Sequence, residues 1–90
     1  MIIGKVAGTV VATKKSENLV GMKFLVVQKY TMDGKPTSDY VVALDAVGAG
    51  ADEMVMVCAG SSARLTVATK DKPTDATIVG IIDDIQLKNQ

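Results

Sequence analysis

The 90-residue chain has no histidine and no tryptophan, one cysteine, one arginine and only three aromatic rings, Phe24, Tyr30 and Tyr40. Each absence removes a class of function. General acid-base work near neutral pH is done most often by histidine, and a serine or cysteine nucleophile needs a neighbouring base, so the usual catalytic triads are excluded. Without histidine, and with Cys58 alone, the chain by itself lacks the ligand set of a zinc or haem site. A lone cysteine also rules out an internal disulfide framework and fits a reducing cytosol. Ten basic and ten acidic side chains cancel, which leaves no long-range field to collect phosphates, anionic lipid or an acidic substrate. No apolar run approaches the ~18 residues of a membrane span. The segment from Met1 to Thr13 is interrupted by Gly4, Lys5 and Gly8 and lacks the charged-then-apolar order of a signal peptide. The expectation is a cytoplasmic protein that is not an enzyme, carries no cofactor or metal, and binds neither membrane nor nucleic acid.

What the chain does have is aliphatic side chains, at a 48% hydrophobic fraction. A single domain of this length, residues 1–90, buries only about 60–65% of the surface its unfolded chain exposes. The apolar surplus therefore points to self-association. Valine, isoleucine and alanine dominate, punctuated by Gly, Asp, Asn and Pro at short intervals, which is the pattern of short strands. Five are predicted. The first covers Ile2 to Thr13, with Val6, Val10 and Ala12 on one parity with Gly4 and Gly8; two glycines on one strand face suggest tight coiling or close approach of another backbone. A polar loop, Lys14 to Gly21, precedes a second strand at Met22 to Tyr30, with Met22, Phe24 and Val26 on one side and Phe24 expected in the core. Asp33-Gly34 and Pro36 mark a turn into a third strand at Asp39 to Asp45. After a small-residue loop, Gly48 to Ala51, a fourth strand is expected at Glu53 to Cys58. Ser62 to Ala68 is predicted as one or two helical turns capped by serine. A fifth strand at Thr77 to Leu87 places Val79, Ile81, Ile85 and Leu87 on one parity. Five short strands with one short helix suggest an all-β, oligonucleotide-binding-type (OB-like) barrel.

Candidate chemistry is sparse. Asp52-Glu53 and Asp83-Asp84 are adjacent carboxylates, which on a strand point to opposite faces and form no working pair, so they read as solvated or as caps of turns. Cys58 lies in an apolar run and reads as a small buried hydrophobe. Gly48-Ala49-Gly50 has the look of a phosphate-binding loop, but Glu53 stands where a third glycine is needed and a strand follows instead of a helix. Single-stranded nucleic acid is the alternative an OB-like barrel raises; Lys14, Lys15, Lys23 and Lys29 could cluster, yet the aromatic platforms such sites use are missing. Arg64, the one guanidinium, suits a fixed partner such as Asp45, Glu53 or Asp75, within the subunit or across an interface, with a solvated side chain as the plain alternative.

Four stretches in order carry a resemblance: Asp45 to Glu53 (DAVGAGADE), Met54 to Val57 (MVMV), Gly60 to Arg64 (GSSAR), and Pro73 to Asp83 (PTDATIVGIID). Together with Gly4 to Thr13 (GKVAGTVVAT) and Gly21 to Gln28 (GMKFLVVQ), they resemble the EutN/CcmL family, the vertex proteins of bacterial microcompartments. Two departures stand out: Ala51-Asp52 where the family usually has another glycine before the glutamate, and Thr74 where it usually has valine. The resemblance implies a five-stranded OB-like barrel that assembles as a homopentamer, caps the vertices of a polyhedral shell and docks to hexameric shell tiles. Flat sheets of six-fold tiles close only with five-fold units at the corners, and a head-to-tail contact whose rotation closes makes such a ring. It also implies that Gly48, Ala49 and Gly50 form a tightly turned loop, and that these residues with Ser61, Ser62 and Arg64 lie near the subunit interface or the five-fold axis.

Overall fold

A computed structural model describes residues 1–13 and 15–88. The chain forms β1 (Ile2–Val10), β2 (Phe24–Tyr30), β3 (Pro36–Asp45), β4 (Met54–Ala59) and β5 (Ala76–Ile81), with single 3-10 turns at Glu17–Leu19 and Gly60–Arg64. The strands close into a barrel in the order β1-β2-β3-β5-β4. Every neighbouring pair is antiparallel except β3 and β5, which meet in parallel through Leu44 opposite Thr77 and Asp45 opposite Ile78. Closure removes the free edges that would otherwise invite uncontrolled strand addition.

The barrel is filled by Val6, Leu25, Val27, Ala43, Val55, Val57, Ala76 and Ile78, with Ala49 contributed by the loop after β3. Burying each large member of this set is worth ~1.5–3 kcal/mol relative to leaving it in water. Leu25 and Val27 face inward, whereas Phe24 and Val26 are only half-buried, so Phe24 does not belong to the core as expected. The reason is visible in Phe24-Leu25-Val26-Val27: both parities are apolar, so alternation alone does not say which side turns inward. The same correction applies to β5, where Ile78 and Ala76 fill the barrel while Val79 is half-buried and Ile81 is exposed.

Close approach accounts for one of the two strand glycines. A side chain at Gly4 would collide with the Gln28 carbonyl and with Val27 Cγ1, but Gly8 has open space where its Cβ would be. Between them the β1–β2 register shifts after Val6, a bulge that bends the strand. β1 ends at Val10, short of the expected Thr13. The β2–β3 hairpin forms as expected: Gly34 adopts φ +85°, the Gly34 amide donates to the Thr31 carbonyl at 3.0 Å, and Thr31 N–H donates to Lys35 O at 2.8 Å. β3 starts earlier than predicted, at Pro36.

Two elements differ from expectation more deeply. The helix predicted at Ser62–Ala68 is replaced by the 3-10 turn Gly60–Arg64, which lacks a serine side-chain cap. Beyond it Thr66 Oγ1 accepts the Thr69 amide at 3.0 Å and lies 2.6 Å from Thr69 Oγ1, and such hydroxyl contacts compete with a helical ladder. β5 stops at Ile81 rather than Leu87. The Ile82 amide makes one last bond to Met54 O at 2.8 Å, after which Asp83-Asp84 and the residues to Lys88 run outside the sheet. Positions 89 and 90 lie outside the described residues, as does Lys14 of the expected lysine cluster. No helix among the described residues is long and apolar enough to cross a membrane.

Candidate functional site

The loop from Ala46 to Glu53 is built around two carboxylates of the chain itself. Asp45, the last residue of β3, has a side chain only 3% exposed. Its Oδ1 accepts the amides of Val47 and Gly48, each at 3.0 Å, and its Oδ2 accepts the Ala49 amide at 2.9 Å. Lys23 Nζ reaches over the same corner, 2.9 Å from the Ala49 carbonyl and 3.7 Å from Asp45 Oδ2. Glu53 closes the other half, with Oε1 accepting the Gly50 amide at 2.6 Å. Charge-assisted bonds of this kind are roughly twice as strong as neutral ones.

This arrangement decides what the glycine-rich run can do. A phosphate cradle works by offering free backbone amides, but the amides of residues 47 to 50 are taken by Asp45 and Glu53. The loop is a tight turn, as expected, with Gly48 at φ +78°. Asp52, at the place where the resemblance leads one to expect glycine, adopts φ +67°; aspartate is among the few non-glycine residues that visit this region readily. Its amide donates to Val6 O at 3.0 Å, and the Val6 amide donates to Glu53 O at 2.9 Å, lashing the loop to β1. Ala49 is fully buried in the barrel of its own chain, while Gly48 is exposed and Gly50 half-buried.

The second predicted group lies at the other end of β4. Gly60 takes φ +72° and its amide donates to Asp75 O at 2.7 Å. Ser61 and Ser62 are exposed, and Ala63 between them and Arg64 is fully buried. The Ala63 carbonyl accepts two hydroxyls, Thr77 Oγ1 at 2.7 Å and Thr69 Oγ1 at 2.8 Å, which pins the turn onto β5. Arg64 meets none of the three carboxylates considered for it within the chain; its Nη1 donates to the Thr74 carbonyl at 2.9 Å. Asp45 and Glu53 are engaged in the loop at the opposite end of β4, so they are not available to it. Thr74, the other departure, bridges its own turn, with Oγ1 2.9 Å from Ala76 O. The two predicted groups thus occupy separate surfaces. Cys58 is half-buried with a free thiol, and no group of three or more His, Cys, Asp or Glu side chains among the described residues could hold a metal. Of the expected lysine cluster, Lys23 is committed to Asp45 and Ala49, and Lys15 donates to Ala12 O at 2.7 Å.

A surface that sequence reasoning missed runs along the outside of the β1–β4 seam. Gly4 pairs with Val55, which points into the core, so the adjacent pair Ile3 and Met56 lies on the outer face of the sheet, where Met56 is exposed and Ile3 is covered at 7% exposure. These two, with Met32, Ile81 and Ile85, line an apolar groove of about 520 Å³, and Asp83 and Asp84 stand in its wall. The signal was Ile81-Ile82-Asp83-Asp84-Ile85: two carboxylates inside an isoleucine run mark the end of a strand, not its continuation.

The family model described as "Ethanolamine utilisation protein EutN/carboxysome" matches residues 1–83. The chain belongs to the EutN/CcmL family. It is 49% identical over 89 residues to the carboxysome shell vertex protein CcmL of Thermosynechococcus vestitus, covering 99% of this chain and 90% of that one. The solved structure of Gloeobacter violaceus CcmL superposes with a TM-score of 0.94 at 44% identity, over 100% of this chain and 93% of the other. The GrpN pentameric microcompartment shell protein of Rhodospirillum rubrum gives a TM-score of 0.88 at 45% identity, over 97% and 99% of the two chains. In this chain the glycine-rich loop serves as a self-satisfied corner of the barrel.

Proposed function

We propose that this chain is a structural subunit of a bacterial microcompartment shell, five copies of which close into a ring at a vertex of the polyhedron. The ring's rim docks against hexameric shell tiles, and the assembly lies in the cytoplasm. In this reading residues 1–90 supply one OB-like barrel per subunit, and the subunit's role is mechanical rather than catalytic. The observation that carries it is end-to-end similarity to proteins named as shell vertex proteins, one of them solved and described as pentameric. Physical features support it. Val42 and Met56 remain exposed on the outside of the barrel, giving the aliphatic surplus a place to be buried between copies. The relatives named above give the single-stranded nucleic-acid alternative no support. In the same reading Gly48, Ala49 and Gly50 act from within, shaping the loop at one end of β4, while Ser61, Ser62 and Arg64 stand at the surface nearer the neighbouring subunit.

Native mass spectrometry at micromolar concentration tests the ring, with a mass five times that of the chain expected. A dominant monomer sinks the proposal. Co-expression with a hexameric shell protein tests the docking step: closed polyhedral particles form with this chain present, and open sheets or tubes form without it.

A further inference from the structure

Asp33-Gly34 marks the β2–β3 hairpin, and it is also the one place in the chain where aspartate precedes glycine. Gly34 has no Cβ to hinder the approach of its nitrogen to the neighbouring side chain. Attack of the Gly34 nitrogen on Asp33 Cγ forms a C–N bond, expels one carboxyl oxygen as water with the amide proton, and leaves a succinimide ring. Water then opens the ring at either carbonyl. Opening at the side-chain carbonyl restores aspartate. Opening at the Asp33 main-chain carbonyl carbon breaks its bond to Gly34 N, routes the backbone through Cγ and leaves isoaspartate. One water is lost and one regained, no co-reactant is needed, and one carboxylate is present before and after.

Residues 31–35 are all exposed, so water reaches the tip, yet the turn keeps the reacting groups apart. The Gly34 N–H donates to the Thr31 carbonyl at 3.0 Å. The Asp33 carboxylate is drawn back toward the same residue, with Oδ1 accepting the Thr31 hydroxyl, while Lys35 Nζ lies 3.8 Å from Oδ2. Thr31 Oγ1 in turn accepts the Lys35 amide at 3.1 Å. We propose that Asp33-Gly34 is a site of spontaneous isoaspartate formation that the folded hairpin holds shut, with Thr31 as the positioning residue that holds it. Thr31 engages the nucleophile through its carbonyl and the electrophile through its hydroxyl, so the ring closes only when the tip opens. That opening is local, because exposed turns without buried apolar side chains open more often than the core of a barrel. Isoaspartate adds one carbon to a main chain closed by Thr31 N–H to Lys35 O at 2.8 Å. Met32 and Gly34 stand in the walls of the two grooves that share residues 82–85, and a longer tip shifts both walls. This is a property of the single chain and does not rest on the ring.

Succinimide hydrolysis takes its oxygen from solvent, so each cycle in water enriched in heavy oxygen leaves one heavy atom at residue 33. The full chain is incubated in such water at neutral pH, native and in urea, then digested in ordinary water and read by peptide mass spectrometry. Endoprotease Asp-N, which cuts before aspartate and not before isoaspartate, identifies the product. In urea the label enters first at residue 33; in the native chain it enters more slowly by about tenfold or more, since the bonds to Thr31 must open. Thr31→Val keeps the far-UV circular dichroism of the wild type and labels about fivefold faster than it, the factor that one net hydrogen bond is worth. Thr31→Ser, which retains the hydroxyl, labels at the wild-type rate. Uptake in urea spread evenly over the aspartates removes the site, and native uptake as fast as that in urea removes the protection. Thr31→Val labelling at the wild-type rate removes the part given to Thr31. If Thr31→Val does not fold, the native chain against the chain in urea decides the proposal.

Discussion

Asp45 Oδ2 lies 2.9 Å from the amide nitrogen of Ala49, so the last residue of one strand fixes the residue that plugs the barrel four positions later. The same carboxylate holds Val47 and Gly48. Asp45→Ala leaves three amides without their acceptor, that of Ala49 part-buried and those of Val47 and Gly48 open to water, and a hydrogen bond to a charged group is worth about 1.5–3 kcal/mol. The expected loss is about 3 kcal/mol, read as a fall in the urea midpoint at fixed protein concentration. Lys23→Met is the control. Its side chain is half exposed, and such pairs contribute ~0–1 kcal/mol, so a loss from Lys23→Met equal to that from Asp45→Ala would assign the effect to the ion pair and not to the loop.

Gly4 and Gly8 read alike in the sequence and differ in the barrel. Gly4→Ala drives a methyl into the Gln28 carbonyl and Val27 Cγ1, so β1 and β2 must part; overpacking of a tight site costs ~1–3 kcal/mol, and the upper end applies because backbone is struck. Gly8→Ala meets nothing and gains about 0.5 kcal/mol from a less flexible unfolded chain. Thermal melts at matched concentration separate the two. Equal shifts for both would mean that strand conformation, not close approach, explains Gly4.

That contrast shows how much was legible beforehand. Strand number, the Asp33-Gly34 hairpin and the tight loop at Gly48 follow from local chemistry, because each is decided by residues within a few positions. What was not legible depends on partners far along the chain. The inward face of β2 is set by which parity closes over Ile78 and Val55, and Phe24-Leu25-Val26-Val27 offers both. The turn after Gly60 is shaped by Thr77, fourteen residues after Ala63. Among the described residues Arg64 pairs with the Thr74 carbonyl and with no carboxylate, while Asp45 and Glu53 hold amides at the other end of β4, which no spacing rule announces. The groove on the β1–β4 seam needs Ile3, Met32, Met56 and Ile81 brought together, and only the closed barrel does that.

Asp52 makes a smaller prediction about backbone. It holds φ +67° without glycine's freedom, in a region that costs an ordinary residue ~1–2 kcal/mol. Asp52→Gly relieves that strain and stabilises by a few tenths to about 1 kcal/mol after the added entropy of the unfolded chain is subtracted. Asp52→Val, branched at Cβ, destabilises by about 1–2 kcal/mol. Denaturant melts of the pair should bracket the wild type, and a more stable valine variant would contradict the left-handed geometry.

The Ala63 carbonyl makes the strongest case for non-additivity. It is buried, and it accepts from Thr69 Oγ1 and Thr77 Oγ1, both on fully buried residues. Removing one donor leaves the carbonyl partnered, so Thr69→Val or Thr77→Val costs about 1 kcal/mol, the typical net value of one hydrogen bond. Removing both leaves a buried acceptor with no partner, which adds a desolvation penalty of ~1–3 kcal/mol that neither single variant bears. The double variant should therefore lose more than the sum of the singles by at least about 1 kcal/mol in a double-mutant cycle. Because these two bonds pin the turn that presents Leu65 and Val67, limited proteolysis of the double variant should also cut first between residues 64 and 72. Additive losses, with cleavage unchanged, would mean that the turn is held by its backbone bonds, Gly60 N–H to Asp75 O among them, and that the threonine hydroxyls are incidental to it.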